Sequence, residues 1–355
     1  MIQRRQFIGS FAAVCTLPAY NVFGLEGLVL PTPKRKLRWK CDVIQTRPYG
    51  YSQRAPVVTG VSLQPNGTQV AIVGDNHYVG IYETQQRRFV THLGDHSDWV
   101  RTTKYSPDGQ SLASAGNDRK LKIWDTNNFQ QEARVYPHNF AIIDIEYSSD
   151  SNRLATVGFD KELRVYDLNG RQIERRLRCE CPDNHAVAFS NDNQLIAAGG
   201  RSGTIRVWDV NSGQQISQYK SHRQRVRSIQ FTDDNRVVSC GDDQTVKITD
   251  VNNPKRPITL PKHSSKLFAV QVLPNDRIAT SGSDNMIHIW NLNGSEEIGV
   301  LQGHTGTVSS LDFSGTKVAS GSFDTQVRIW HYQPGEDPLG RQTKKPGNRK
   351  RKKFQ

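Results

Sequence analysis

The chain has 355 residues, of which 35% are hydrophobic and 8% aromatic, with a mean hydropathy of −0.64. It is long enough to bury a large core and too polar for a multi-spanning membrane protein. Its net charge is +13, but eight Lys and Arg lie between residues 341 and 353 with no acid among them; removing those eight from +13 leaves +5, which excludes a uniformly basic surface.

In chain order, residues 1–19, MIQRRQFIGSFAAVCTLPA, join a basic start to an apolar stretch that ends at Ala19. This is the layout of a secretory signal, and it is too short to span a bilayer comfortably. Arg4-Arg5 followed by Phe7-Ile8 resembles a twin-arginine export signal, with Gln3 and Gly9 departing from the usual pattern. The resemblance implies an exported or periplasmic protein. The alternative is a cytoplasmic protein with an amphipathic first segment. Residues 1–36, which include the basic run Lys34, Arg35, Lys36, are set apart as a targeting segment and linker. No later segment is apolar enough to cross a membrane.

A series of similar units fills residues 37–333. One of them shows the plan. His96 opens it, and an alternating strand runs over Val100–Tyr105. Ser106-Pro107-Asp108-Gly109 is a β-turn, with Pro fixing φ at its second position and Gly closing it. A strand at 111–115, the tight turn Gly116-Asn117-Asp118-Arg119 and a strand at 121–124 follow. Asp125-Thr126-Asn127-Asn128 turns the chain into an outer strand at 131–136. Short strands of period two between frequent turns predict an all-β array. Two units on, an insertion at 179–184 brings Cys179 and Cys181 near His185. One cramped pair lacks the spacing of a zinc site, so free thiols, no metal and no cofactor are expected. Residues 334–355 have no apolar periodicity and, over 341–353, carry charge of one sign. They predict a disordered basic tail able to hold nucleic acid, an anionic surface or an acidic protein.

The units end at Tyr82-Glu83, Trp124-Asp125, Tyr166-Asp167, Trp208-Asp209, Thr249-Asp250, Trp290-Asn291 and Trp330-His331, a period of 40 to 42 residues. A repeat of this length cannot bury its own apolar face and must stack on its neighbours. SAGNDRKLKIWD, TVGFDKELRVYD, SCGDDQTVKITD, TSGSDNMIHIWN and ASGSFDTQVRIWH resemble the WD-repeat β-propeller family over about residues 37–333. The resemblance implies seven blades of four antiparallel strands around a central channel. The last unit lacks a fourth strand, and residues 37–46 have no unit of their own. They are expected to supply that strand and close the ring, leaving no open sheet edge.

His96, Ser114 and Asp118 have the composition of a nucleophilic triad. The same set recurs as His138, Thr156, Asp160; His222, Ser239, Asp243; His263, Thr280, Asp284; and His304, Ser320, Asp324. Five copies at constant offset mark architecture, since an active site is normally single. The family implies a structural relay in which the Asp holds the His, the His holds Ser or Thr, and that hydroxyl meets Trp124, Trp290 or Trp330. Tyr166 and Thr249 weaken it in two blades. Blades one and four, with Asn76 and Ser202 at the Asp position, lack it. No nucleophile elbow, metalloprotease helix or phosphate loop is present, so no enzyme is expected.

The resemblance also implies that partners contact the top face through three positions per blade. These are the residue opening the first strand, the one two later and the one before the turn Asp. Carried across, they give Trp99 and Arg101 in blade two, Arg201 in blade four, Arg225 and Arg227 in blade five, and Lys266 and Phe268 in blade six. They also give Phe159, His185 and Phe323. Clustered arginine suits carboxylate or phosphate, and Arg and aromatics dominate interaction hot spots. The leading expectation is therefore a monomeric, non-catalytic scaffold binding an acidic or phosphorylated peptide there, with Arg225 and Arg227 alternatively paired to Asp183 and Asp242. Two other readings remain open: an exported propeller with an enzyme or cofactor site in the channel, and a nucleic-acid-associated scaffold using the tail.

Overall fold

The computed structural model describes residues 39–46, 54–94, 96–129, 132–180, 182–292 and 295–332, all within the compact unit Arg35–Gln355. The signal-like segment and the basic tail lie outside the described residues. Among the described residues no helix is long and apolar enough to cross a membrane.

Seven four-stranded antiparallel sheets form the blades of a propeller, each ordered first to fourth strand from its innermost edge. Blade one comprises Val58–Leu63, Gln69–Gly74, Val79–Glu83 and Arg88–Leu93. In blade two, Val100–Tyr105, Ser111–Gly116, Lys120–Asp125 and Glu132–Pro137 match the sequence expectation to within a residue or two. Blades three to six repeat the plan from Ile142–Tyr147 to Glu296–Gln302. Blade seven is Val308–Ser314, Lys317–Ser322 and Gln326–His331, completed by Cys41–Gln45 from the start of the array. Cys41 pairs with Trp330 and Gln45 with Gln326, so the expected closure is present in antiparallel register.

The burial pattern explains the sequence of each strand. Second and third strands such as SLASAG and KLKIWD are buried over four or five consecutive residues, because neighbouring blades cover both their faces. Fourth strands such as QISQYK form the outer edge, are largely exposed and are mainly polar. The core accordingly consists of seven clusters, each built from two adjacent blades. Trp124 of blade two packs on Val73, Val79 and Ile81 of blade one, for example. No blade could fold with this sequence in isolation.

Two local devices shape the top face. In blade two the Asn117 amide donates to Trp99 O at 2.9 Å, and a Cβ on Gly116 would stand 2.0 Å from that same oxygen, so only glycine fits. The equivalent bond recurs in all seven blades, joining the residue that opens the first strand to the one before the turn Asp. In addition, every first strand shifts register against its neighbour just after it starts. The residues skipped by the pairing are Thr59, Arg101, Ile143, His185, Arg227, Phe268 and Ser309. A β-bulge re-aims the side chain at the extra residue, here into the mouth of the channel.

Candidate functional site: the mouth of the central channel

The upper channel is a cavity of about 340 Å³ whose lining includes Arg101, Phe159, His185, Arg227, Phe268 and Phe323. Arg227 lies with its guanidinium carbon 4.9 Å from the centre of the Phe268 ring, and Phe268 meets Phe323 edge-on at 6.3 Å. Across the mouth, Arg101 stacks over Trp99 at 4.9 Å. Trp99 is 39% exposed, Phe159 42% and Phe323 45%.

The arginines differ in what they hold. Arg227 grips Asp242 with two bonds, Nε to Oδ1 at 2.7 Å and a terminal nitrogen to Oδ2 at 3.2 Å. Arg225 donates to Asp183 Oδ2 at 3.0 Å, and the other Asp183 oxygen lies 2.6 Å from His185 Nε2. Burial, only partly opposed by Asp183, pushes the His185 imidazole down to about 4. Arg101 donates instead to the neutral Asn117 side chain at 2.9 Å. Arg201 and Lys266 are exposed and stand outside the cavity wall. The structure thus gathers Trp99, Arg101, Arg227 and Phe268 at the mouth and sets Arg225 beside it. Two of the arginines expected to meet a ligand already hold internal carboxylates.

Deeper in the channel the first strands carry charges that the site assignment from sequence passed over. Lys104 Nζ bonds Asp312 Oδ1 at 3.1 Å and stands 3.6 Å from Glu146. Burial works against this ammonium, but the two acids outweigh it and raise its pKa. Asp144 accepts the Val187 and Ile145 amides, each at 3.0 Å, while burial pushes its carboxyl up to about 7. The available signal was a charged residue in an otherwise apolar or small-residue first strand.

The recurrent His sets are tied down in different ways. In blade two, His96 Nδ1 donates to Asp118 at 2.8 Å, and Nε2 stands 2.8 Å from Ser114 Oγ, which also accepts the Trp124 indole at 3.0 Å. Blade seven matches it through Asp324, His304, Ser320 and Trp330, at 2.9, 2.8 and 2.9 Å. Blade five keeps Asp243, His222 and Ser239, both contacts at 2.9 Å, without an indole. The other two blades depart from the expectation. In blade three Arg164 comes between the partners, bonding Asp160 at 2.7 Å and His138 Nδ1, while Tyr166 and not Thr156 meets His138 Nε2, at 2.8 Å. In blade six Asp284 bonds His288 at 2.9 Å, and Glu297 takes the other ring nitrogen at 2.5 Å. Trp290 still reaches Thr280, at 3.1 Å, and His263 packs edge-on against His288 and Trp290. In both blades a basic side chain on the third strand, Arg164 or His288, bonds the turn Asp.

Comparison with known families adds two findings. A family model described as the IFT122 first beta-propeller matches residues 57–296. One described as WD domain, G-beta repeat, matches residues 295–331. No curated protein matches the chain.

Proposed function

The chain belongs to the family described as the IFT122 first beta-propeller, a seven-bladed WD-repeat propeller suited to protein interaction, and from that membership we propose that it is a non-catalytic scaffold gripping a polypeptide segment at the channel mouth. One observation carries this reading. Among the described residues, the exposed Phe and Trp side chains are Trp99, Phe140, Phe159 and Phe323, and all four stand on top-face loops or turns. Exposed aliphatic side chains, by contrast, are spread singly around the rim on fourth strands, as Val43, Val90 and Ile216 are. Aromatic groups on backbone-bridged turns lose little freedom on binding, which makes them effective anchors.

The partner segment is acidic or phosphorylated in this proposal. Arg201, Lys266 and Arg101 meet its charges, since none of them holds a carboxylate among the described residues. Arg225 and Arg227 shape the mouth through Asp183 and Asp242. Affinity capture with the full chain tests the reading. Phe159→Ala with Phe323→Ala should abolish recovery of specific partners, Arg201→Glu with Lys266→Glu should reduce it at least about tenfold, and the rim change Val90→Asp should leave it intact. Equal recovery by all four proteins would refute top-face binding. Loss with the aromatic pair alone would remove only the acidic part.

A further inference from the structure

We propose that the lower mouth of the channel is the docking site for this chain's own basic stretch, residues 341–353. The lower mouth is bounded by the turns between first and second strands, and it holds a second cavity of about 370 Å³. Phe231, Leu273, Pro274 and Phe313 supply its apolar wall, and Glu146 and Asp233 add carboxylates. Pro274 and Asp233 are exposed, as are Asp192, Asp234 and Asp276 in the same set of turns.

The charges around this opening do not balance. Arg236 is tied to Asp234 at 2.7 Å, and Arg277 points a terminal nitrogen at the Tyr332 hydroxyl, 3.4 Å away. Against these two cations stand Asp192, Asp233 and Asp234, with exposed Asp108 and Asp150 in the equivalent turns of blades two and three, while Lys317 in the blade-seven turn donates to Gly67 O at 2.7 Å. Among the described residues, Asp233 accepts from a neutral amide, Asn191 at 2.6 Å, and from no cation. Asp192 accepts from Ser190 at 2.6 Å and Asn235 at 2.8 Å, bonds that hold its carboxyl below the usual range and keep it charged.

The occupant follows from where the described chain leaves the ring. Tyr332, the last described residue, donates its hydroxyl to Pro274 O at 3.2 Å, and its ring meets Phe313 edge-on at 5.9 Å. Both partners belong to the cavity wall. From Tyr332 to Arg341 is nine residues, a span of up to about 30 Å. Residues 341–353 then carry eight Lys and Arg and no acid, and Phe354 follows. Reach, charge and an aromatic group for the apolar wall therefore point to one occupant. Tethering keeps its effective concentration high, so modest contacts suffice. This inference is independent of the top-face proposal, because it concerns the opposite end of the channel.

Carbodiimide cross-linking of the full chain, which joins lysine to carboxylate without a spacer, tests it directly. Lys344, Lys345, Lys350, Lys352 and Lys353 should link to Asp192, Asp233, Asp234 and Asp276. In an equal mixture of light and isotope-labelled chains the links should stay within one chain, and they should fade in high salt. Asp192→Asn with Asp276→Asn, checked for an unchanged melting temperature, should lower the yield of lower-mouth links at least about fivefold. Links spread equally to top-face and rim acids such as Asp75 and Glu174, links formed only between chains, or an undiminished yield in the double variant would each overturn the proposal.

Discussion

Ser320 shows how one hydroxyl settles two buried groups. Its Oγ is within 2.8 Å of His304 Nε2 and accepts the Trp330 indole at 2.9 Å, and all three residues are buried. Ser320→Ala leaves both nitrogens unpaired, and each buried unsatisfied group costs about 1–3 kcal/mol, so a loss of about 2–4 kcal/mol is expected. Ser239→Ala in blade five should cost less, because Thr249 stands where the indole would be and Ser239 bonds only His222 and Ser221 among side chains. Urea denaturation of the two variants measures the difference, and equal losses would contradict it. The departures in blades three and six start from a position that the triad pattern passed over. A basic residue lies two positions before six of the seven anchors: Lys122, Arg164, Arg206, Lys247, His288 and Arg328. In blades three and six that basic group takes the turn Asp, Arg164 holding Asp160 and His288 holding Asp284, and the relay is rerouted; in blades two, five and seven the Asp stays with the histidine.

At the scale of the element, the closing strand Cys41–Gln45 matters most. Ile44 is 2% exposed and packs among Val58, Val61, Val327 and Ile329, so it joins blade seven to blade one. Asp42 adds bonds to His331 at 2.8 Å and Arg87 at 2.7 Å. Ile44→Ala should destabilise by about 3 kcal/mol through lost transfer energy and the cavity left behind. Val43→Ala, at a side chain 42% exposed, should cost under about 0.5 kcal/mol. Guanidinium denaturation of both variants checks this, and equal effects would mean that the strand does not carry the closure. Blade five shows what composition does to an outer strand. Pro254, Pro257 and Pro261 remove amide donors around it, and its fourth strand shrinks to Ile258–Thr259.

The whole molecule responds to acid through histidines held neutral by burial. His138, largely shielded from solvent and beside Arg164 and Arg176, is pushed down to about 3, and His185 to about 4. Both folded values lie below the unfolded value of about 6.5. The folded state therefore binds fewer protons, and stability that is complete above about pH 6.5 falls as the pH drops towards 4. Asp118 and Asp284 are held low by bonds to histidine, and Asp324 by the Thr305 amide and then His304, which together outweigh burial, so their contribution is present above about pH 3.9 and is lost only at lower pH. The melting temperature should decline between pH 7 and pH 4.5, and His185→Asn should flatten that decline by an amount on the order of 1–2 kcal/mol. A profile with the same slope in the variant would show that His185 is not buried in its neutral form.

The seven-fold array, its strand order and its closure were legible in the sequence because each rests on local chemistry repeated at a fixed period: turn residues, an anchoring aromatic, and alternation read strand by strand. The glycine before the turn in blades one to six was legible too, although its reason, a neighbouring carbonyl where a Cβ would sit, belongs to the folded sheet; blade seven has Ser322 there. The tertiary structure alone decided which charges are spent. Arg225 and Arg227 lie near Asp183 and Asp242 only after blades four and five stand side by side and the bulge at Arg227 turns it into the mouth. The lower mouth likewise takes its carboxylates from separate blades. Periodicity specifies each unit, but the ring sets the distances between units, and charge pairing depends on those distances.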